Sequence, residues 1–130
     1  MCKNSPASTS RRGSRFENAC FEYSGGAVIN RGDLIIENCE FFANTSEDFG
    51  GAIYNESNLT IKNSKFMQNR AEYGGAIYMG SDSMLSLSGS VFESNSSEFE
   101  GGAIYNCLYA TACLEKTLLL RAEPFIMNNY

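Results

Sequence analysis

One phrase recurs four times along this chain and limits what it can fold into. Gly-Gly stands at Gly25-Gly26, Gly50-Gly51, Gly74-Gly75 and Gly101-Gly102, at spacings of 25, 24 and 27 residues. Each pair opens Gly-Gly-Ala-Val-Ile-Asn or a close variant, Gly-Gly-Ala-Ile-Tyr-Asn or Gly-Gly-Ala-Ile-Tyr-Met. A second phrase follows the first three pairs. It starts at Leu34, Leu59 and Leu85, reaches Phe41, Phe66 and Phe92 seven residues later, and Asn44, Asn69 and Asn95 three after those. Independent markers that keep one period identify a repeat architecture, in which each unit buries its apolar face only by stacking on its neighbour.

The chemistry of the unit selects the class. Short runs of Ile, Leu, Val, Phe and Tyr alternate with Gly, Asn, Ser and Asp, which is a pattern of strands and turns. Leucine-rich units need more leucines and a helical segment, and ankyrin or TPR units are longer and helical. The expected fold is therefore all-β, a parallel β-helix of about four coils of 25–26 residues, each with two or three short strands. Equivalent residues then lie one above another, about 4.8 Å apart. Phe16, Phe41, Phe66, Phe92 and Phe125 are expected to stack inside, and Asn44, Asn69 and Asn95 to form an amide ladder. The Gly-Gly pairs permit a bend that a Cβ would block, through positive φ or close backbone approach.

The ends are read less regularly. Residues 1–15 are Ser-rich, with Lys3, Arg11, Arg12 and Arg15 and no acid, and are expected to form a solvated, disordered basic arm. Residues 16–106 hold the repeats, with 13 acids against four bases. Leu118, Leu120, Phe125 and Asn128 are read as a damaged copy of Leu85, Leu87, Phe92 and Asn95. That alignment makes 107–117 a loop with a seven-residue insertion and 118–130 a partial last coil.

The pairing of Gly-Gly-Ala-Ile (Gly50–Ile53, Gly74–Ile77, Gly101–Ile104) with Phe-x-x-Asn (Phe41, Phe66, Phe92) resembles the repeats of chlamydial polymorphic outer-membrane proteins. The resemblance implies a right-handed β-helix, carried as the extracellular or outer-membrane passenger of an autotransporter and acting in adhesion to a cell-surface receptor or glycan. No export signal and no run of barrel-forming strands is seen in this sequence, so the expectation is a passenger fragment or a short stand-alone member.

Several features bear on function. The acidic balance, net −5, argues against a nucleic-acid partner, and no apolar run is long enough for a transmembrane helix. Arg31-Gly32-Asp33 falls at a turn and could offer a cation and a carboxylate to a receptor, although Gly and Asp are also ordinary turn formers. Glu22, Glu47, Glu72 and Glu98 recur once per coil, and calcium could bridge them, but the nonapeptide calcium repeat is missing and an acidic turn screened by solvent is favoured. No other cofactor or metal is expected. Of the five cysteines, Cys107 and Cys113 could close a disulfide in an oxidising compartment, while Cys39 shares a slot with Ser64 and Ser90. There is no histidine, and no acid cluster departs from the repeat, so catalysis is not expected. A polysaccharide-active β-helix and a spacer or self-assembling module, whose open coils pair end to end, are the rival readings.

Overall fold

A computed structural model describes residues 2–4, 9–13, 15–17, 19–21, 25–115, 118–120 and 126–128. These form a parallel β-solenoid of four sheets, with no helix among them and hence none long and apolar enough to cross a membrane. The first sheet (the Ile sheet) stacks Cys2–Asn4, Val28–Asn30, Ile53–Asn55, Ile77–Met79, Ile104–Asn106 and Ile126–Asn128. The Leu sheet stacks Thr9–Arg12, Leu34–Glu37, Asn58–Lys62, Met84–Ser88 and Thr111–Glu115. The Phe sheet stacks Arg15–Glu17, Glu40–Phe42, Lys65–Met67, Val91–Glu93 and Leu118–Leu120. The fourth side, unforeseen as strand, stacks Cys20–Phe21, Thr45–Ser46, Arg70–Tyr73 and Ser96–Glu100.

Registers follow the repeat in the middle coils. Ile53 pairs with Ile77 and Ile77 with Ile104; Leu34, Leu59 and Leu85 align; so do Phe41, Phe66 and Phe92. Within a strand the side chains alternate: Leu59 and Ile61 are buried between exposed Asn58 and Lys62, as a two-residue period requires when one face is packed. The core is the tube between the sheets, filled by the Ile, Leu and Phe columns and the alanines of the Gly-Gly phrase.

Four corners per coil close the path; three turn through a residue of positive φ in each of the middle coils, and the fourth, from the Ile to the Leu sheet, does so at Asp82 and Tyr109. Asn38, Asn63 and Gly89 turn the chain from the Leu to the Phe sheet. Ala43, Gln68 and Ser94 turn it into the fourth side, and Gly25, Gly50, Gly74 and Gly101 turn it out again. Asn tolerates this conformation and Gly favours it, whereas Ala43, Gln68 and Ser94 adopt it at a cost that the surrounding structure must hold. The two glycines of each pair divide the work. Gly50 has φ of 67°, while Gly51 is present for space: a Cβ there would strike the Gly75 carbonyl and stand 2.6 Å from the Arg70 backbone.

Both ends differ from the sequence reading. The segment expected as a free basic arm supplies strands: Thr9–Arg12 pairs with Leu34–Glu37, and Cys2–Asn4 with Val28–Asn30. This sets the backbone of Arg12 in register with Glu37 and that of Arg15 with Glu40. At the other end, Leu118 and Leu120 pair with Val91 and Glu93 rather than Leu85 and Leu87, and Leu119 takes the place beside Phe92 that Phe125 was expected to fill. Phe125 itself lies outside the described residues. Asn128 pairs with Asn106, not Asn95.

The expected insertion is a turn and a strand of the ordinary coil. Cys107–Ala110 repeats the turn at Gly80–Ser83, each closed by a backbone hydrogen bond from the last residue to the first, at 3.1 and 3.2 Å. Thr111–Glu115 then lies on Met84–Ser88. Identity between leucines had suggested one register, but the hydrogen-bonded turn sets another.

Candidate functional site

The repeated motif residues meet in the interior, where they hold the coils together. Phe41, Phe66 and Phe92 are fully buried, with ring centroids 4.6 Å apart and planes within 2° and 6° of parallel. Phe16 is in backbone register with Phe41. In the amide ladder, the Asn44 side chain donates to Asn69 Oδ1 at 3.0 Å and the Asn69 side chain to Asn95 Oδ1 at 2.9 Å. The same oxygens accept the Asn44 and Asn69 backbone N–H groups, and the spare amide hydrogens of Asn69 and Asn95 reach the carbonyls of Phe41 and Phe66. Each asparagine thereby satisfies backbone groups freed where the positive-φ corner interrupts the ladder.

A second asparagine column went unread. Asn30 donates to Asn55 Oδ1 at 2.7 Å, and both are fully buried. Its signal was the closing residue of the phrase Gly-Gly-Ala-Ile-Tyr-Asn; Met79 interrupts it, taking a 3.5 Å contact from Asn55 to sulfur. Cys39 occupies the small-residue column as expected, its N–H donating to Ser64 Oγ and the Ser64 N–H to Ser90 Oγ.

Arg31-Gly32-Asp33 lies on an exposed turn whose two charges engage the next coil. Arg31 Nε meets Glu56 Oε2 at 2.9 Å, and Asp33 Oδ1 accepts from Asn58 Nδ2 at 2.8 Å. The Gly32 N–H donates to Asn30 Oδ1, an Asx arrangement that shapes the turn.

The outer flank gathers more chemistry. On the outward face of the Ile sheet, Tyr54, Tyr78 and Tyr105 stack at 5.2 Å, with planes 6° and 10° apart. From the fourth side, Phe49, Tyr73 and Phe99 form a neighbouring column at 5.7 and 5.3 Å. The columns interlock: Phe49 stands 4.6 Å from Tyr78, and Tyr73 meets Tyr105 edge-on at 5.5 Å. Where they join, a groove of about 630 Å³ opens, with Glu98 and Glu100 at its side. Tyr105 is 6% exposed and Phe99 55% exposed, so the groove has a buried floor and an open aromatic wall.

Beside it lies a hollow of about 350 Å³ holding Glu47, Asp48, Glu72 and Glu98 with Arg70. Arg70 bridges Glu98 at 3.0 Å, a cation already placed among the acids considered for calcium. The expected straight column of glutamates is broken here. A bulge between Ala71 and Tyr73 sets Tyr73 opposite Glu100; Glu22 lies outside the described residues.

Below the tyrosine stack, Cys107 is a free thiol that accepts a hydrogen bond from Ser81 Oγ at 3.5 Å. Burial pushes this thiol up, but hydrogen bonds from Ser81, Tyr78 and the Leu108 backbone outweigh it and leave it below the ordinary range. Tyr54 is pushed up to about 12 by burial and by its hydrogen bond to Glu56. Tyr78 is also raised, by burial and then by its hydrogen bond to Cys107. Cys113, considered as a disulfide partner, is likewise a free thiol, exposed in register with Ser86.

Two comparisons with known proteins are empty: no curated protein and no solved structure matches the chain. A family described as "Right handed beta helix region" matches residues 3–114.

Proposed function

From membership of the right-handed β-helix region family, to which this chain belongs, we propose that it serves as a structural and adhesive β-helix passenger, exposed at a cell surface or secreted. It presents side chains from stacked coils to a receptor or glycan and catalyses no reaction. One observation carries this reading: two columns of aromatic side chains, Tyr54, Tyr78, Tyr105 and Phe49, Tyr73, Phe99, repeat coil after coil on an outer flank. A solenoid needs its inward columns to fold, but it has no need of an outward aromatic flank, in which Phe99 is exposed, Phe49, Tyr54, Tyr73 and Tyr78 are partly exposed and Tyr105 forms the buried base; aromatic clusters that reach the surface mark interaction sites.

The resemblance to polymorphic outer-membrane protein repeats supports the adhesive and surface-exposed parts of the reading. Absence of turnover is supported by the way the outer charges are used. Arg31, Lys62 and Arg70 each meet an acid of a different coil, Glu56, Glu37 and Glu98, which serves register between coils more directly than acid–base chemistry. Fluorescently tagged protein added to host-type cells and to a panel of polysaccharides tests both parts. Saturable binding with no release of reducing ends is expected; sugar release from any polysaccharide of the panel would overturn the reading in favour of a lyase or hydrolase.

A further inference from the structure

Four sequons of the form Asn-x-Ser/Thr occur in this chain, at Asn44, Asn55, Asn58 and Asn95, and the fold sorts them. We propose that Asn58 carries an N-linked glycan, and that it alone of the four does so in the folded protein. The inference rests on the secreted or surface-exposed reading given above, because the transfer takes place on an export path. In that step the Asn58 side-chain nitrogen bonds to C1 of a polyprenyl-diphosphate-linked oligosaccharide. The C1–O bond breaks, the diphosphate leaves with its electron pair, and the nitrogen gives up one proton.

Burial decides between the acceptors. Asn44, Asn55 and Asn95 are at most 1% exposed. The amide nitrogen of each is engaged inside the coil, on Asn69 Oδ1, the Ser57 carbonyl and the Phe66 carbonyl. A glycan is bulky and hydrated, so a chain modified at any of these three could not close its coil. Asn58 instead stands exposed at the start of its strand in the Leu sheet, with Leu59 turned inward beside it. Its nitrogen donates to Asp33 Oδ1 at 2.8 Å on the outer surface. After transfer one amide hydrogen remains to keep that bond.

Two further observations point to the same residue. The sequon at Asn58 ends in Thr60, whereas the three buried ones end in Ser46, Ser57 and Ser97. The extra methyl of threonine offers a transferase an apolar contact that serine lacks. There is also room for the product. A hollow of about 400 Å³ opens at Asn58, bordered by Thr60, Met84, Ser86, Thr111 and Cys113. Met84 lies in register with Asn58 on the next coil and is 55% exposed, so the first sugars cover apolar surface that the coil leaves open.

The whole chain, exported from eukaryotic cells behind a cleavable signal, tests the proposal. Peptide N-glycanase is expected to lower the mass of the folded protein by a single glycan, and peptide mapping to place the modified side chain at position 58. Asn58→Gln and Thr60→Val are each expected to abolish that mass step, the second while leaving the acceptor side chain and a β-branched strand residue in place. Exported, folded protein with no mass step, a step that survives both substitutions, or a glycan mapped to Asn44, Asn55 or Asn95 would each overturn it. Any of these results with cell binding retained sinks this inference and leaves the adhesive reading standing; a glycan at Asn58 on protein that binds no cell does the reverse.

Discussion

Two stacks of aromatic rings run along this molecule at the pitch of the coils, and they differ in what encloses them. Inside, Phe41, Phe66 and Phe92 are fully buried with centroids at 4.6 Å, walled by the Ile and Leu columns. Outside, Tyr54, Tyr78 and Tyr105 stack at 5.2 Å on the opposite face of a sheet, under a partial cover of Phe49 and Tyr73. The inner rings have neighbours on every side and therefore fix register and volume. Of the outer rings, Tyr105 is nearly covered, while Tyr54 and Tyr78 are half-buried and their hydroxyls find partners in Glu56 and Cys107. Repetition alone thus does not distinguish an interior column from a surface one; enclosure does.

Truncating one ring in each stack should separate them most widely. Phe66→Ala is expected to lose about 3–5 kcal/mol of unfolding free energy, because the rings above and below are held by their own coils and cannot collapse into the gap. Tyr78→Ala should lose about 1–2 kcal/mol, since a half-buried ring gives up less area and water enters its place. Urea titration of both variants checks this. Equal losses would mean that the outer stack is as much a part of the core as the inner one. Phe92→Ala should fall slightly below Phe66→Ala, since Phe92 has a ring on one side and Leu119 in register on the other.

The amide ladder tests whether the corners depend on the interior as the rings do. Asn69→Ala removes the acceptor of the Asn44 backbone N–H and the donor to the Phe41 carbonyl, both buried. A loss of about 2–4 kcal/mol is expected, from orphaned groups rather than lost volume. Hydrogen exchange should then rise first at Asn44, beside the positive-φ corner at Ala43. Uniform exchange along the coil would instead mean that the ladder is not what holds that corner.

These same residues show what could be read beforehand. The Phe and Asn columns were legible because an inward position sees the same neighbour in every coil, so selection for packing leaves identity at a fixed spacing. The fold and its coil length followed from that. The last coil misled because its inner residues no longer match: Ala112 stands where Leu85 and Leu59 stand, and Leu119 where Phe92 does. Leucine identity then pointed to a register one sheet away. The first coil misled through charge, since a run of arginines reads as solvated until Arg12 is seen in one column with Glu37 and Lys62. The groove was the least legible of all. It depends on a bulge after Ala71 and on two columns from different sheets meeting, and neither leaves a mark in the spacing of a repeat.

The smallest expected effect concerns protons on the outer stack. Tyr54 is held neutral up to about 12, by burial and by donation to Glu56, against an ordinary tyrosine value of 10.0. Tyr78 is raised in the same direction, by burial and by its bond to Cys107. A phenol with a raised folded value binds its proton more tightly folded than unfolded. Its contribution is therefore complete below pH 10 and declines as pH rises from there toward 12, where the unfolded chain ionises first. Phenolate absorbance on alkaline titration should show these two tyrosines lagging, ionising above the ordinary tyrosine value of 10.0, and stability should fall over the same interval. In Cys107→Ala the lag of Tyr78 should shrink while that of Tyr54 largely persists, since of the two tyrosines only Tyr78 donates to that sulfur and Cys107 is the smallest of the causes that raise Tyr54. If both lags persisted unchanged, burial alone would hold the protons, and the outer stack would resemble the inner one more closely than its hydroxyl partners suggest.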